Sequence, residues 1–332
     1  MKILVLSTGG TIGSQTKGGI ISPNNKSSAM LLNLYKSSVN DDTEFASEKI
    51  SDTLSENITD SFYETLINYL LRFNKADFDG IIILHGTDTL EYTSALVSMA
   101  CRNFLLPVGF VSANLPLENP KSNGVANFKA AVQYIKAGGK GFFAPYRNYN
   151  GKVNIHLATR MLGADPIYDD FNSIYNCAIA EIKNDTVKFL NSSKLPSQKA
   201  LVSRRAAVYK GNVKFNSKIL VIKSYPGIDY SVYDLQNKNI AAVLNLAYHS
   251  GTAPSYLSEF AIKCKDMGIE NYLCPVKNTE SLYESADELL KAGVIPMPQI
   301  TIASALAKLK IFYNSDILNK EISTVDLYYE TI

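Results

Sequence analysis

Gly80-Ile81-Ile82-Ile83-Leu84-His85-Gly86-Thr87-Asp88-Thr89-Leu90 changes character in a single step. A run of aliphatic residues gives way to a histidine, a glycine and three oxygen-bearing side chains, and an apolar pattern resumes at Leu90. A short unbroken aliphatic run bounded by turn residues reads as a strand buried on both faces, the pattern of a parallel sheet. The same change occurs at the start of the chain, where Lys2-Ile3-Leu4-Val5-Leu6 runs into Ser7-Thr8-Gly9-Gly10-Thr11-Ile12-Gly13. Ligands of parallel α/β sheets bind beyond the carboxyl ends of the strands. Both polar segments are therefore expected at the same kind of place, each offering hydroxyls and glycine-freed backbone amides.

Working outward, strand-like runs alternate with helix-like stretches, the signature of an α/β fold. Residues 61–73 read as a helix, with Phe62, Leu66, Ile67, Leu70 and Leu71 at helical spacing. Residues 90–101 read as a helix behind the second polar segment, 106–111 as a strand, and 123–137 as a helix stopped by Gly138-Gly139. A short strand follows at 141–145. The polar stretch at 191–212 reads as an interdomain linker. Beyond it the alternation restarts, with strands expected at 218–223, 240–246 and 272–275, and helices at 255–266, 283–292 and 302–312. The expected organisation is a larger N-terminal parallel-sheet domain over residues 1–190 and a smaller C-terminal α/β domain over 213–332. No internal repeat is found.

Composition narrows the function classes. The 332 residues are 46% hydrophobic, enough for a large core, and the net charge of +2 provides no strong field for nucleic acid or a membrane surface. The longest apolar runs are strand-sized, far short of a bilayer span. The sequence starts with Met1-Lys2 and a strand, without the regions of a secretion signal, so a cytoplasmic protein is expected. Cys101, Cys177, Cys264 and Cys274 include no C-x-x-C pair and read as buried free thiols. His85, His156 and His249 are too dispersed for metal-ligand spacing, and neither metal nor cofactor is expected.

A threonine hydroxyl is a poor nucleophile unless a base, a positive neighbour or a strong local field assists it. Thr11 lies in a glycine-flanked turn that can present its hydroxyl, and turn amides can bind a developing oxyanion. Gly9-Gly10-x-x-Gly13 is not the dinucleotide spacing, and no P-loop lysine follows. The bland alternative is a tight strand–helix turn. For Thr87 and Asp88 the alternative is an N-cap on the following helix.

The two threonine segments, in this order and separation, resemble those of the bacterial-type L-asparaginase family of amidohydrolases. Ser122-Asn123-Gly124-Val125-Ala126-Asn127, Ala292-Gly293-Val294-Ile295 and Ala305-Leu306-Ala307-Lys308-Leu309 are similar to downstream blocks of the same family. The resemblance implies that Thr11 is the nucleophile on a side-chain amide and Thr87 the second threonine. It implies that Asp88 holds the α-amino group of the substrate. Ser55 and Glu56, in Leu54-Ser55-Glu56-Asn57, fall where the family binds the amino-acid head, and this pair is more similar to the amidotransferase D-subunit branch. Ser55 could equally be a helix cap. Backbone amides near Gly10, with Gly86 and Thr87, are the implied oxyanion and substrate contacts.

Three departures stand out. The family's downstream lysine is matched best by Arg160, in Leu157-Ala158-Thr159-Arg160-Met161, with a small insertion after it. Arginine can hold a carboxylate but cannot give up its proton to act as a base. Arg160 could also be an ordinary salt-bridging residue. The lid-like loop at 13–23 contains no tyrosine where the family has one, and Ile20 or Ile21 occupies the region. Asn123 stands where the family commonly has aspartate.

The resemblance implies hydrolysis of L-asparagine, with some use of L-glutamine, by a homodimer or homotetramer. In such an assembly residues 248–252 and the region of Tyr283-Glu284 would complete a neighbour's site. Two alternatives are a non-catalytic amino-acid-binding protein and a glutaminase or amidotransferase-type subunit feeding ammonia to a partner.

Overall fold

The two aliphatic runs lie side by side in the middle of one sheet. In the computed structural model all residues are described except 11, 13, 18–19, 24–26, 75–76, 237–238, 278–282, 316–321 and 323–324; over 14–17, 20–23 and 27 the backbone alone is described. The chain divides into two units, Met1–Ala207 and Val208–Ile332.

The first unit contains, in order, β1 (Lys2–Ser7), β2 (Ser14–Lys17), β3 (Ile20–Pro23), α1 (Ser27–Ser38), β4 (Glu44–Lys49), α2 (Asp60–Arg72), β5 (Gly80–Leu84), α3 (Leu90–Ala100), β6 (Val108–Val111), α4 (Gly124–Lys136), β7 (Phe142–Arg147), β8 (Val153–Leu157), β9 (Ala180–Lys183), β10 (Thr186–Phe189) and α5 (Gln198–Leu201). Eight strands form one sheet in the order β10-β9-β8-β7-β6-β5-β1-β4. The five from β4 to β7 pair in parallel, and β8, β9 and β10 continue the sheet antiparallel. The change of direction follows from connection length: β7 and β8 are joined by a tight turn in which Gly151 has φ +81°, too short for a crossover. Asn184 and Asp185, with φ of 49° and 57°, make the primed turn of the β9–β10 hairpin.

Register decides what meets at the carboxyl edge. Ser7 of β1 is opposite both Lys49 of β4 and Leu84 of β5, and Leu84 is opposite Val111 of β6. Four strands therefore end level, and the segments after residues 7, 49, 84 and 111 emerge together. The core beneath is dense: Ile3 to Leu6 of β1 and Ile81 to Leu84 of β5 are fully buried. On α2, Phe62, Tyr63, Leu66, Ile67 and Leu70 form the buried face. Helix α4 ends as its glycines require, with Gly138 at φ +83° and Gly139 N–H donating to Tyr134 C=O at 2.9 Å.

The second unit carries β11 (Lys218–Lys223), β12 (Ile240–Leu246), α6 (Leu257–Asp266), β13 (Glu270–Val276), α7 (Glu284–Lys291), β14 (Ile295–Pro298) and α8 (Ile302–Phe312). Its four strands are parallel in the order β11-β12-β13-β14. Strand alternation splits the core into two layers. Val243 and Leu273 pack with Leu257, Phe260, Cys264 and Leu289 of α6 and α7. Ala242, Leu244, Tyr272 and Cys274 pack with Ala305 and Leu309 of α8.

Several details differ from the reading of the sequence. The strand expected at 106–111 begins at Val108, and the helix expected from 255 begins at Leu257. Cys177 is half-buried, whereas the other three cysteines are buried. Within the polar stretch 191–212, residues up to Ala207 belong to the first unit. There Gln198 Oε1 accepts from Lys140 N–H at 2.8 Å and from Tyr134 O–H at 3.2 Å. No described helix is long and apolar enough to cross a membrane.

Candidate active site

At the level carboxyl edge the chain leaves β1 through Thr8, Gly9 and Gly10. Thr8 ties this exit to β5: its Oγ1 donates to Leu84 C=O at 2.6 Å, and its own carbonyl accepts from Thr53 N–H at 3.1 Å. Gly9 and Gly10 have φ of 104° and 78°, a region costly for other residues. A Cβ on Gly9 would overlap the Thr53 backbone, and one on Gly10 would overlap Gly86 N. The first and second motifs thus touch backbone to backbone, which only glycines allow. Thr11 itself lies outside the described residues.

The segment after β4 crosses beneath this contact. Residues 55–57 form a 3-10 turn with Ser55 buried, and Ser55 Oγ donates to Asp88 Oδ2 at 3.3 Å. Thr89 Oγ1 returns a bond to Ser55 C=O at 3.0 Å. Gly86 accommodates the same serine, because a Cβ on Gly86 would overlap Ser55 Oγ. Ser55 is therefore not the cap of α2; that position is Thr59, which makes no capping bond with its side chain. Glu56 is exposed in the same turn. Asp88 is exposed and Thr87 half-buried, in the turn that opens α3. Among the residues selected from sequence, Gly10, Ser55, Gly86 and Asp88 are in direct contact or one residue removed, although 78 positions separate the first from the last.

His85 stands behind the motif. Its Nδ1–H donates to Gly86 C=O at 2.8 Å, its edge faces Phe62, and it is buried. Burial pushes its pKa down to about 4, so the ring is neutral and serves as a prop.

Arg160 is buried in the 3-10 turn Ala158–Arg160, and its Nη1 donates to the main-chain carbonyl of Lys194. The alternative of an exposed salt-bridging residue is excluded by that burial. Three residues on, Gly163 lies against α3: a Cβ there would sit 3.1 Å from Glu91 Oε1. Ser94 Oγ of α3 donates to Ala158 C=O at 3.2 Å, fixing this segment to the helix.

Asn123 is buried, accepts from Asn114 N–H at 3.0 Å through Oδ1, and donates through Nδ2 to Arg147 C=O at 2.9 Å. An ionised aspartate could not make the second bond, which is the physical reason for asparagine here. The loop expected as a lid forms a β2–β3 hairpin, with Ser14 opposite Pro23 and Lys17 opposite Ile20; the side chains of Ile20 and Ile21 lie outside the described residues.

Two residues at this edge were not selected from sequence. Thr53 receives the Gly9 turn, and no motif announces it. Glu91 is the sole carboxylate in α3, a helix buried at nearly every position, and a charged residue in such a helix was a legible signal.

Comparisons with known proteins bear on the family and the fold. The family model described as "Asparaginase, N-terminal" matches residues 2–195. The L-asparaginase of Thermococcus kodakarensis is 27% identical over 324 residues, covering 93% of this chain and 92% of that protein. The D subunit of the glutamyl-tRNA(Gln) amidotransferase of Methanococcus maripaludis is 26% identical over 321 residues, covering 92% of this chain and 74% of that protein. The structure of the thermostable L-asparaginase from T. kodakarensis superposes with a TM-score of 0.79 at 24% identity, covering 100% of this chain and 99% of that one. With a matched region spanning more than half the chain, and the two threonine motifs joined at the edge of its main sheet, this protein belongs to the asparaginase family.

Proposed function

We propose that this protein is an amidohydrolase that converts L-asparagine to L-aspartate and ammonia. The observation that carries the reading is the meeting of Ser55 and Asp88, from segments 33 residues apart, beside the backbone contact of Gly10 and Gly86. Such an arrangement suits a zwitterionic amino-acid head: the Asp88 carboxylate for the α-ammonium, Ser55 with the Glu56 turn for the rest. In this account Thr11 Oγ attacks the side-chain carbonyl, and amides near Gly10 and Thr87 hold the oxyanion. Collapse of the tetrahedral species expels ammonia and leaves an acyl-threonine. Water then attacks that ester, releasing L-aspartate and restoring the hydroxyl. Thr87 carries the second hydroxyl, and Arg160 acts electrostatically. A homodimer or homotetramer belongs to the same reading.

A second reading is a non-catalytic amino-acid-binding protein. It is favoured by the engagement of Arg160 with the Lys194 carbonyl, since that position supplies no proton acceptor. The likeness to amidotransferase D subunits keeps glutamine in view as substrate.

The test is ammonia release from L-asparagine, L-glutamine and succinamate, which is asparagine without its α-amino group. Turnover is expected for L-asparagine, with succinamate lower in kcat/KM by about tenfold or more, the worth of one charge-assisted contact. Equal turnover of succinamate would remove Asp88 from its role. Binding of amino acids without ammonia release would select the second reading.

A further inference from the structure

Glu91 occupies the first turn of α3, three residues after Asp88 and four after Thr87. Leu90 N–H donates to Thr87 C=O at 3.4 Å, so the turn that carries Asp88 runs directly into the helix turn that carries Glu91. Its side chain is more than nine-tenths buried, and Oε2 has no hydrogen-bond partner among the described residues. Across from it lies the Cα of Gly163, which brings no side chain to the carboxyl. A buried carboxyl with one oxygen unpartnered, three residues after the amine-binding aspartate, is costly to keep and calls for a role.

We propose that Glu91 is a positioning residue for the substrate's α-ammonium, acting through Asp88: ionised, it adds a second negative charge beneath the amine and tightens binding. The inference rests on the amidohydrolase reading and deepens it.

Burial, with a smaller push from the charge of Asp88, lifts the Glu91 carboxyl to about 7. The groups around it do not titrate in that range. Tyr63 of α2 is pushed up to about 12, and Tyr92 on α3 is also raised. His85 stays neutral with its pKa near 4. Arg160, in the turn that packs against α3, is permanently charged. An ammonium docking on Asp88 offsets the smaller push that Asp88 adds to burial. The pKa of Glu91 then falls, and the proton is released. By linkage, affinity rises with pH through neutrality.

Isothermal titration of the wild-type protein with L-aspartate, in phosphate and in Tris at pH 6, 7 and 8, reads both quantities. Neither L-aspartate carboxylate nor its amine titrates in this window. For a one-unit fall in the Glu91 pKa, binding tightens about fivefold from pH 6 to 8, and about 0.4 proton is released at pH 7. Glu91→Gln is expected to abolish the proton release and hold affinity at the weak, low-pH level. If that variant does not fold, the buffer comparison on the wild type decides alone. L-Aspartate binding with no proton release and no pH dependence would overturn the inference while leaving the amidohydrolase reading intact. No L-aspartate binding at any pH would overturn the reading of the site, and the inference with it.

Discussion

Asn123 shows how one atom can make a residue type obligatory. Its Oδ1 and Nδ2 are both engaged, and the carbonyl of Arg147 needs a donor opposite it. Asn123→Asp would set a carboxylate oxygen against that carbonyl in a buried place. A loss of about 2 kcal/mol is expected at pH 7, the penalty for an unsatisfied and desolvated polar contact. The sign with pH follows from the proton. A protonated aspartate restores the donor, so its folded pKa is raised and the deficit shrinks as pH falls toward 4. Urea unfolding at pH 7 and pH 4.5, variant beside wild type, measures it; an equal deficit at both would contradict the assignment. At this scale the sequence was partly legible. The departure at 123 could be noticed, but its partner Arg147 lies 24 residues away at the end of β7, and only the fold joins them. Ser55 is a similar case: a serine ahead of a helix reads as a cap, and its bond to Asp88 depends on β4 ending level with β5.

At the scale of elements, aliphatic runs announced their strands. Gly80–Leu84, Lys218–Lys223 and Ile240–Leu246 are found at the bounds expected, because buried parallel strands need unbroken aliphatic residues. β4 was not legible: Glu44-Phe45-Ala46-Ser47-Glu48-Lys49 is polar because it is the edge of its sheet, where charge discourages further pairing. The last helix poses a different problem. Lys308 of α8 and Glu330 are both buried and 3.0 Å apart, and Glu330 also accepts from the backbone N–H groups of Leu327 and Tyr328. Burial alone would raise the Glu330 pKa, but the Lys308 charge and these bonds outweigh it and hold the carboxyl below its ordinary value. The pair thus contributes stability above the ordinary glutamate pKa, and that stability is lost as pH falls through the lowered one. Glu330→Ala leaves a buried ammonium unpaired, and a loss of about 3–5 kcal/mol is expected by chemical denaturation at pH 7. A loss under about 1 kcal/mol would mean that the C-terminal residues do not depend on the pair.

At the scale of the whole molecule, composition offered no strong field for an electrostatic partner and no run long enough for a bilayer span, and alternation gave the α/β class. It could not give the antiparallel extension through β8, β9 and β10, because strand direction is set by turn geometry and not by hydrophobic pattern. The central claim is that two motifs 76 residues apart make one catalytic site. The measurement that tests it most directly is ammonia release from L-asparagine by the wild type beside Thr11→Ala and Thr87→Ala, each checked for folding by circular dichroism. The account predicts turnover by the wild type and a loss of at least about a hundredfold in each variant, the scale of removing a nucleophile or a transition-state donor. Wild-type turnover that survives either substitution would contradict it.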